Sequence, residues 1–164
     1  MKRSRLLLLA AVAALGVWAW MALHPSPERL IRKQLEGVAH AVSFGPHEGN
    51  LAKLAAAQRL GDFFSINVDV QIDVPGVQEH RLAGREEIVQ AALAARASVQ
   101  ALNVAFPDVT VMVNADQESA VADLTLQARV AGEPQMIVQE MKFTLRKING
   151  QWLIVRVETV RTLS

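Results

Sequence analysis

The sequence predicts an α+β domain: helices gathered in its first half, packed on one face of a curved antiparallel sheet drawn from its second half. Three observations carry that expectation. Apolar residues recur at helical spacing from residue 27 to residue 60, and from Ile66 the period changes to two. Near the end, Asn149-Gly150 separates two β-rich runs, which is the strongest short hairpin signal because a type I′ turn requires positive φ at both central residues.

The first 24 residues stand apart. Lys2, Arg3 and Arg5 precede a neutral run of 18 residues from Leu6 to Leu23. As a helix that run would span about 27 Å, close to the hydrocarbon thickness of a bilayer. No clean small-x-small cleavage site follows it, and Trp18 and Trp20 lie near its outer end, where interfacial aromatics belong. Residues 1–24 are therefore expected to be a transmembrane anchor, with a cleaved signal segment as the alternative. Residues 25–164 are expected to form one domain. The basic start implies a cytoplasmic N-terminus. The expected location is thus the bacterial inner membrane, single-pass, with the domain periplasmic or extracellular; secretion after cleavage is the alternative.

Within the domain, Ser26-Pro27-Glu28 reads as a helix start: a capping side chain, proline in the first turn and an early acid. Ile31, Leu35, Val38 and Val42 then share one face until Gly45-Pro46 stops the helix. Asn50 is expected to cap a second helix carrying Leu51, Leu54, Ala55 and Leu60. Ile66, Val68, Val70, Ile72 and Val74 alternate with polar residues as a strand, and Pro75-Gly76 turns the chain back through residues 77–82. Gly84 leads into a third helix with Ile88, Ala92 and Leu93 inward. Strands are expected near 102–114, 120–130, 134–148 and 151–162, with Pro107 at a bulge or edge.

Composition restricts the partners. Taking Lys2, Arg3 and Arg5 from the 17 Lys and Arg leaves 14 basic residues against 16 acidic ones in the rest of the chain. A nearly neutral domain without a basic stripe argues against nucleic acid. With no cysteine, the chain has neither a disulfide nor a lipoprotein attachment site.

Helix, helix, short hairpin, a Gly84-Arg-Glu-Glu-Ile88 helix and a meander ending in Asn149-Gly-Gln-Trp-Leu-Ile154 together resemble the nuclear transport factor 2-like superfamily. Its SnoaL-like and ketosteroid-isomerase-like branches share an α+β, cystatin-like cone. The likeness spans residues 27–162 and implies the fold; members include isomerases, cyclases, dehydratases, ligand binders and assembly modules, so it leaves the function open.

The closing hairpin gives a sharper expectation. A two-residue turn pairs Ile148 with Gln151, and strict alternation then sorts the side chains into two faces. Met141, Phe143, Leu145, Trp152 and Ile154 share the face with the larger apolar payload, together with Arg156 and Glu158. By the resemblance, that face lines the cone's pocket. Met141, Phe143, Trp152, Ile154, Arg156 and Glu158 are therefore the expected ligand-binding residues, Arg156 for an anion and Glu158 as a proton acceptor. The competing reading of the last two is a half-solvated structural ion pair. Leu153, Val155 and Val157 fall on the opposite face and are the expected homodimer interface.

Catalysis has less support. The isomerase branch is associated with a tyrosine, and this chain has none. Asp69, Asp73, Asp123, His40 and His80 are candidate acids or bases, but their spacing ties no two into a dyad. His40 is expected to be partly buried packing, and His47-Glu48 an exposed loop pair. The four histidines have no metal-ligand spacing and the glycines are scattered among turns, so no metal site and no cofactor are expected. Two functions remain open: a tethered, exported, non-enzymatic module for a protein partner or a small apolar ligand, and a SnoaL-like isomerase, cyclase or hydrolase acting on a hydrophobic small molecule. A cone filled by Phe63, Phe64, Phe106, Phe143 and Trp152 would favour the module.

Overall fold

The computed structural model describes residues 26–72 and 80–160. The expected anchor at 1–24, the Pro75-Gly76 turn and Asp73 lie outside the described residues. No helix among those described is long and apolar enough to cross a membrane.

Helix α1, Pro27–Val42, starts as its sequence dictates: the Ser26 hydroxyl accepts the Arg29 N–H at 3.4 Å, with Pro27 in the first turn. Its buried stripe is Ile31, Leu35, Val38 and Ala41. Helix α2, Asn50–Gly61, takes Gly49 as its N-cap with no side-chain capping bond, so Asn50 does not cap it. Strand β1, Phe64–Ile72, and β2, His80–Ala83, form the short antiparallel hairpin. Helix α3, Arg85–Ser98, follows Gly84, whose φ of 95° belongs to glycine.

The expected strand at 102–114 is two strands, β3 Leu102–Ala105 and β4 Val109–Val113. Pro107 lies in the break, where it needs no ladder donor. Both pair with β5, Ser119–Val130, and β6, Ile137–Ile148, and β7, Gln151–Thr159, complete the meander. The seven-stranded sheet runs β2-β1-β7-β6-β5-β3, with β4 also on β5. It is antiparallel except where β1 and β7 pair in parallel, Val70 beside Val157. The expectation of a purely antiparallel sheet is corrected there. Ile66 is corrected as well: β1 changes register between Phe64 and Asp69, and Ile66 is 74% exposed rather than inward.

The core lies between α1 and the concave sheet face. Ile31 and Leu35 from α1 meet Leu145 and Ile154 from the sheet, and all four are fully buried. Each fully buried aliphatic contributes about 1.5–3 kcal/mol. The closing turn is as expected, with Asn149 at φ 51° and Gly150 at φ 80°. Its register holds from Ile148 opposite Gln151 to Leu145 opposite Ile154, then slips: Thr144 lies opposite Arg156. Val155 is the extra residue of a β-bulge.

Candidate functional site

The bulge at Val155 decides what faces the cone. Trp152 and Ile154 are buried before it and Val157 after it, so the inward parity changes from even to odd. Arg156 and Glu158 therefore leave the concave face, contrary to the strictly alternating expectation. They form a surface ion pair, Arg156 Nη2 to Glu158 Oε1 at 3.0 Å, with nearly half of the Arg156 side chain exposed. Val157, expected in a dimer interface, belongs to the core at 4% exposure. Burying two charges costs several kcal/mol per ion, whereas a bulge leaves one residue unpaired. The bulge is the cheaper arrangement.

Met141, Phe143, Trp152 and Ile154 do share the inner face, but as packed core rather than open wall. The Phe143 ring meets Phe106 edge-on with centroids 6.0 Å apart. Phe64 is buried, and Phe63 and Phe106 pack against the same cluster. Among the described residues, the buried polar side chains are Ser65 and Arg96 alone, so no acid–base pair lies in that interior.

The other sequence candidates are dispersed. Asp69 sits on the outer sheet face, accepting from Arg81 Nε at 3.0 Å. Asp123 is also on that face, cross-strand from Lys142, which in turn lies opposite Glu158. This alternating row of charge lies on the face expected to carry the homodimer interface. His80 begins β2 opposite Ile72. His40 is exposed rather than packed, and lines a groove of about 490 Å³ between α1 and β3 with Glu36 one turn before it. His47 is exposed as expected, at φ 67°. No group of three potential metal-ligating side chains occurs among the described residues.

Glu48 is not a free loop acid. Arg96, in the last turn of α3 and 3% exposed, donates from Nε to Glu48 Oε2 at 3.2 Å and from Nη2 to the Ala41 carbonyl at 2.6 Å. Its guanidinium lies 4.9 Å from the Phe44 ring centroid. The Ala41 carbonyl is in α1's last turn, which lacks intrahelical donors and attracts cations. Sequence reasoning missed this residue, although Ile88, Ala92 and Arg96 recur at intervals of four on α3's buried stripe.

A cleft of about 590 Å³ lies between α1, the end of α2 and the closing hairpin. Leu30, Phe63, Trp152 and Leu153 provide its apolar lining, and Lys33 and Arg59 stand at its rim. Leu153 thus borders a cleft, and Val155 is half-buried at the bulge.

No family model matches the chain, and no curated protein matches it by sequence. Solved structures do resemble it. An NTF2-like protein with a cystatin-like fold from Novosphingobium aromaticivorans superposes with a TM-score of 0.61 at 16% identity, covering 87% of this chain and 86% of its own. A putative scytalone dehydratase from the same organism gives 0.59 at 14% identity, covering 82% and 84%. A putative calcium/calmodulin-dependent protein kinase II association domain from Xanthomonas campestris gives 0.56 at 15%, covering 82% and 84%. At such identities the likeness speaks for the fold alone. The described domain is an α+β cone of the nuclear transport factor 2-like, cystatin-like fold.

Proposed function

We propose that the chain is a membrane-tethered, exported, non-enzymatic cone domain that serves as a protein-interaction or small apolar ligand-binding module. The observation that carries this reading is the filled cone: Phe143, Trp152, Ile154 and Leu145 close the interior against α1, and no acid–base pair is buried there among the described residues. General acid–base catalysis needs a titratable group within hydrogen-bond reach of a sequestered substrate. With the interior closed, binding falls to the outer surfaces: the rim cleft of α1, α2 and the hairpin, and the outer sheet face. We place a homodimer on the latter, with the Asp123, Lys142 and Glu158 row at its centre and Val155 beside it. With the two-fold axis running between Lys142 and a neighbouring acid, each copy's lysine meets a carboxylate of the other.

The tether rests on the apolar run at 6–23 and the basic residues before it. An intact mass of 17.9 kDa for the membrane-extracted chain would mean that the segment is kept, and a shorter soluble product that it is a signal.

A SnoaL-like isomerase, cyclase or hydrolase is the second reading. It draws on Glu36 and His40 in the α1–β3 groove and on the likeness to a putative dehydratase. Native mass spectrometry of the purified full chain separates the two. Small molecules that co-purify and are recovered unchanged after incubation support the module, and conversion that is lost in His40→Ala overturns it.

A further inference from the structure

We infer that the cleft between α1, the end of α2 and the closing hairpin binds a single acyl chain carrying an anionic head. The inference deepens the reading of the domain as a ligand-binding module and rests on it. Its first support is the floor. Phe63 lies against α1 at Gly37, where a Cβ would come within 2.7 Å of the ring's Cζ. A glycine inside a helix costs about 1 kcal/mol against alanine. Here it lets the ring close onto the helix backbone. The backbone of Phe63 is held as well, its carbonyl accepting from Ile154 N–H at 3.0 Å and from Gln34 Nε2 at 3.4 Å. With Trp152 buried beside it, the floor is apolar and fixed.

The second support is charge. Lys33 and Arg59 are exposed at the rim, and neither has an ion-pair partner among the described residues. Asp62 is the rim's one acid, which leaves it net cationic. A cleft of about 590 Å³ lies within the range of small-molecule sites, and an apolar floor below two cations fits an amphiphilic anion better than a neutral lipid or a free inorganic ion. The third support is position. Leu30 and Lys33 lie in the first two turns of α1, and α1 begins four residues after the apolar run ends at Leu23. With that run in a bilayer, the cleft stands where acyl chains and their head groups are available.

The test uses the full chain in zwitterionic nanodiscs with a diazirine-bearing palmitate as probe, its adducts mapped by peptide mass spectrometry. Adducts are expected on the Phe63 and Trp152–Leu153 peptides. They should fall about tenfold in Lys33→Glu with Arg59→Glu, two exposed substitutions, and stay unchanged in Arg129→Glu, an exposed position on β5 away from the cleft. A diazirine-bearing long-chain alcohol should label the cleft much less than the acid. Nanodiscs carrying a diazirine-bearing anionic phospholipid instead of the acid identify the source: cleft adducts from that arm alone assign the anion to a bilayer lipid. Labelling confined to residues 6–23, or equal cleft labelling by acid, alcohol and the charge-reversed variant, overturns the site. Chemical conversion of the bound probe would leave the site standing and overturn the non-enzymatic reading.

Discussion

Arg96 on α3 and Glu48 in the loop after α1 are joined at 3.2 Å, and through the same guanidinium α3 also holds the Ala41 carbonyl at the end of α1. One side chain thereby ties α3 to the end of α1 and to the loop that leads from α1 to α2. The Arg96 side chain is 1% exposed and that of Glu48 19%, so solvent screens the pair weakly.

Arg96→Met should therefore destabilise the domain by about 3 kcal/mol, because it strands the Glu48 carboxylate and removes the donor to Ala41. Adding Glu48→Leu should restore part of the loss, since the unpaired charge goes with it. Urea denaturation of the single and double variants measures both. Additive losses would mean that the two side chains are energetically independent.

How far the sequence reveals this domain differs by element. Ser26-Pro27, Gly84 and Asn149-Gly150 mark boundaries through local backbone chemistry, and each lies where its sequence places it. Long-range events are hidden. Nothing at Val155 signals a bulge; only the penalty of turning Arg156 and Glu158 inward does, and that penalty depends on which face the helices cover. Arg96 hid for a related reason, since a cation on an apolar stripe becomes a tie only when Glu48 and Ala41 arrive from another element. The rim cleft is assembled from three separate segments, and no local pattern announces it.

Asp116 gives the one pH-dependent expectation. In the turn between β4 and β5, its carboxylate accepts from the Ser119 hydroxyl at 2.7 Å and from the Glu118 and Ser119 N–H groups at 2.9 Å. The Ser119 hydroxyl first, then those amides, hold its pKa below the ordinary carboxylate value. A depressed folded-state pKa stabilises fully above the unfolded value and less as pH falls through the folded one. Below about pH 4, wild type should lose more stability than Asp116→Asn, a difference read from urea midpoints at neutral and acid pH. Parallel acid limbs would contradict it.

Lys142 lies in the proposed dimer face, with Asp123 on one side and Glu158 on the other. Lys142→Glu makes three neighbouring acids, which repel within each copy and more strongly across a two-fold axis. Sedimentation of the full chain in detergent should show a wild-type dimer and a variant shifted towards monomer, the difference shrinking at high salt. An unaltered dimer in the variant would remove the outer sheet face as its interface.

At Gly150 the backbone has φ 80°, and no atom lies within 4 Å of where a Cβ would be. A substitution there meets strain without a clash. Gly150→Val should cost about 1–2 kcal/mol through the left-handed backbone alone, and Gly150→Asn much less. Equal stability of the two variants would place the turn in another conformation.

The bulge at Val155 makes the order of two substitutions diagnostic. With Arg156 outside, Arg156→Ala removes only a half-exposed ion pair with Glu158, for a loss below about 1 kcal/mol. With Val157 inside, Val157→Asp puts a carboxylate into the core beside Val70, where burial without a partner costs at least about 3 kcal/mol or prevents folding. Strict alternation predicts the reverse order, a costly Arg156 change and a tolerated acid at 157. Thermal and urea unfolding of the two variants therefore decides between the two registers. Val157→Ala, which needs no buried charge, supplies a folded reference expected to lose about 1–3 kcal/mol if Val157 fills the core and almost nothing if it faces solvent.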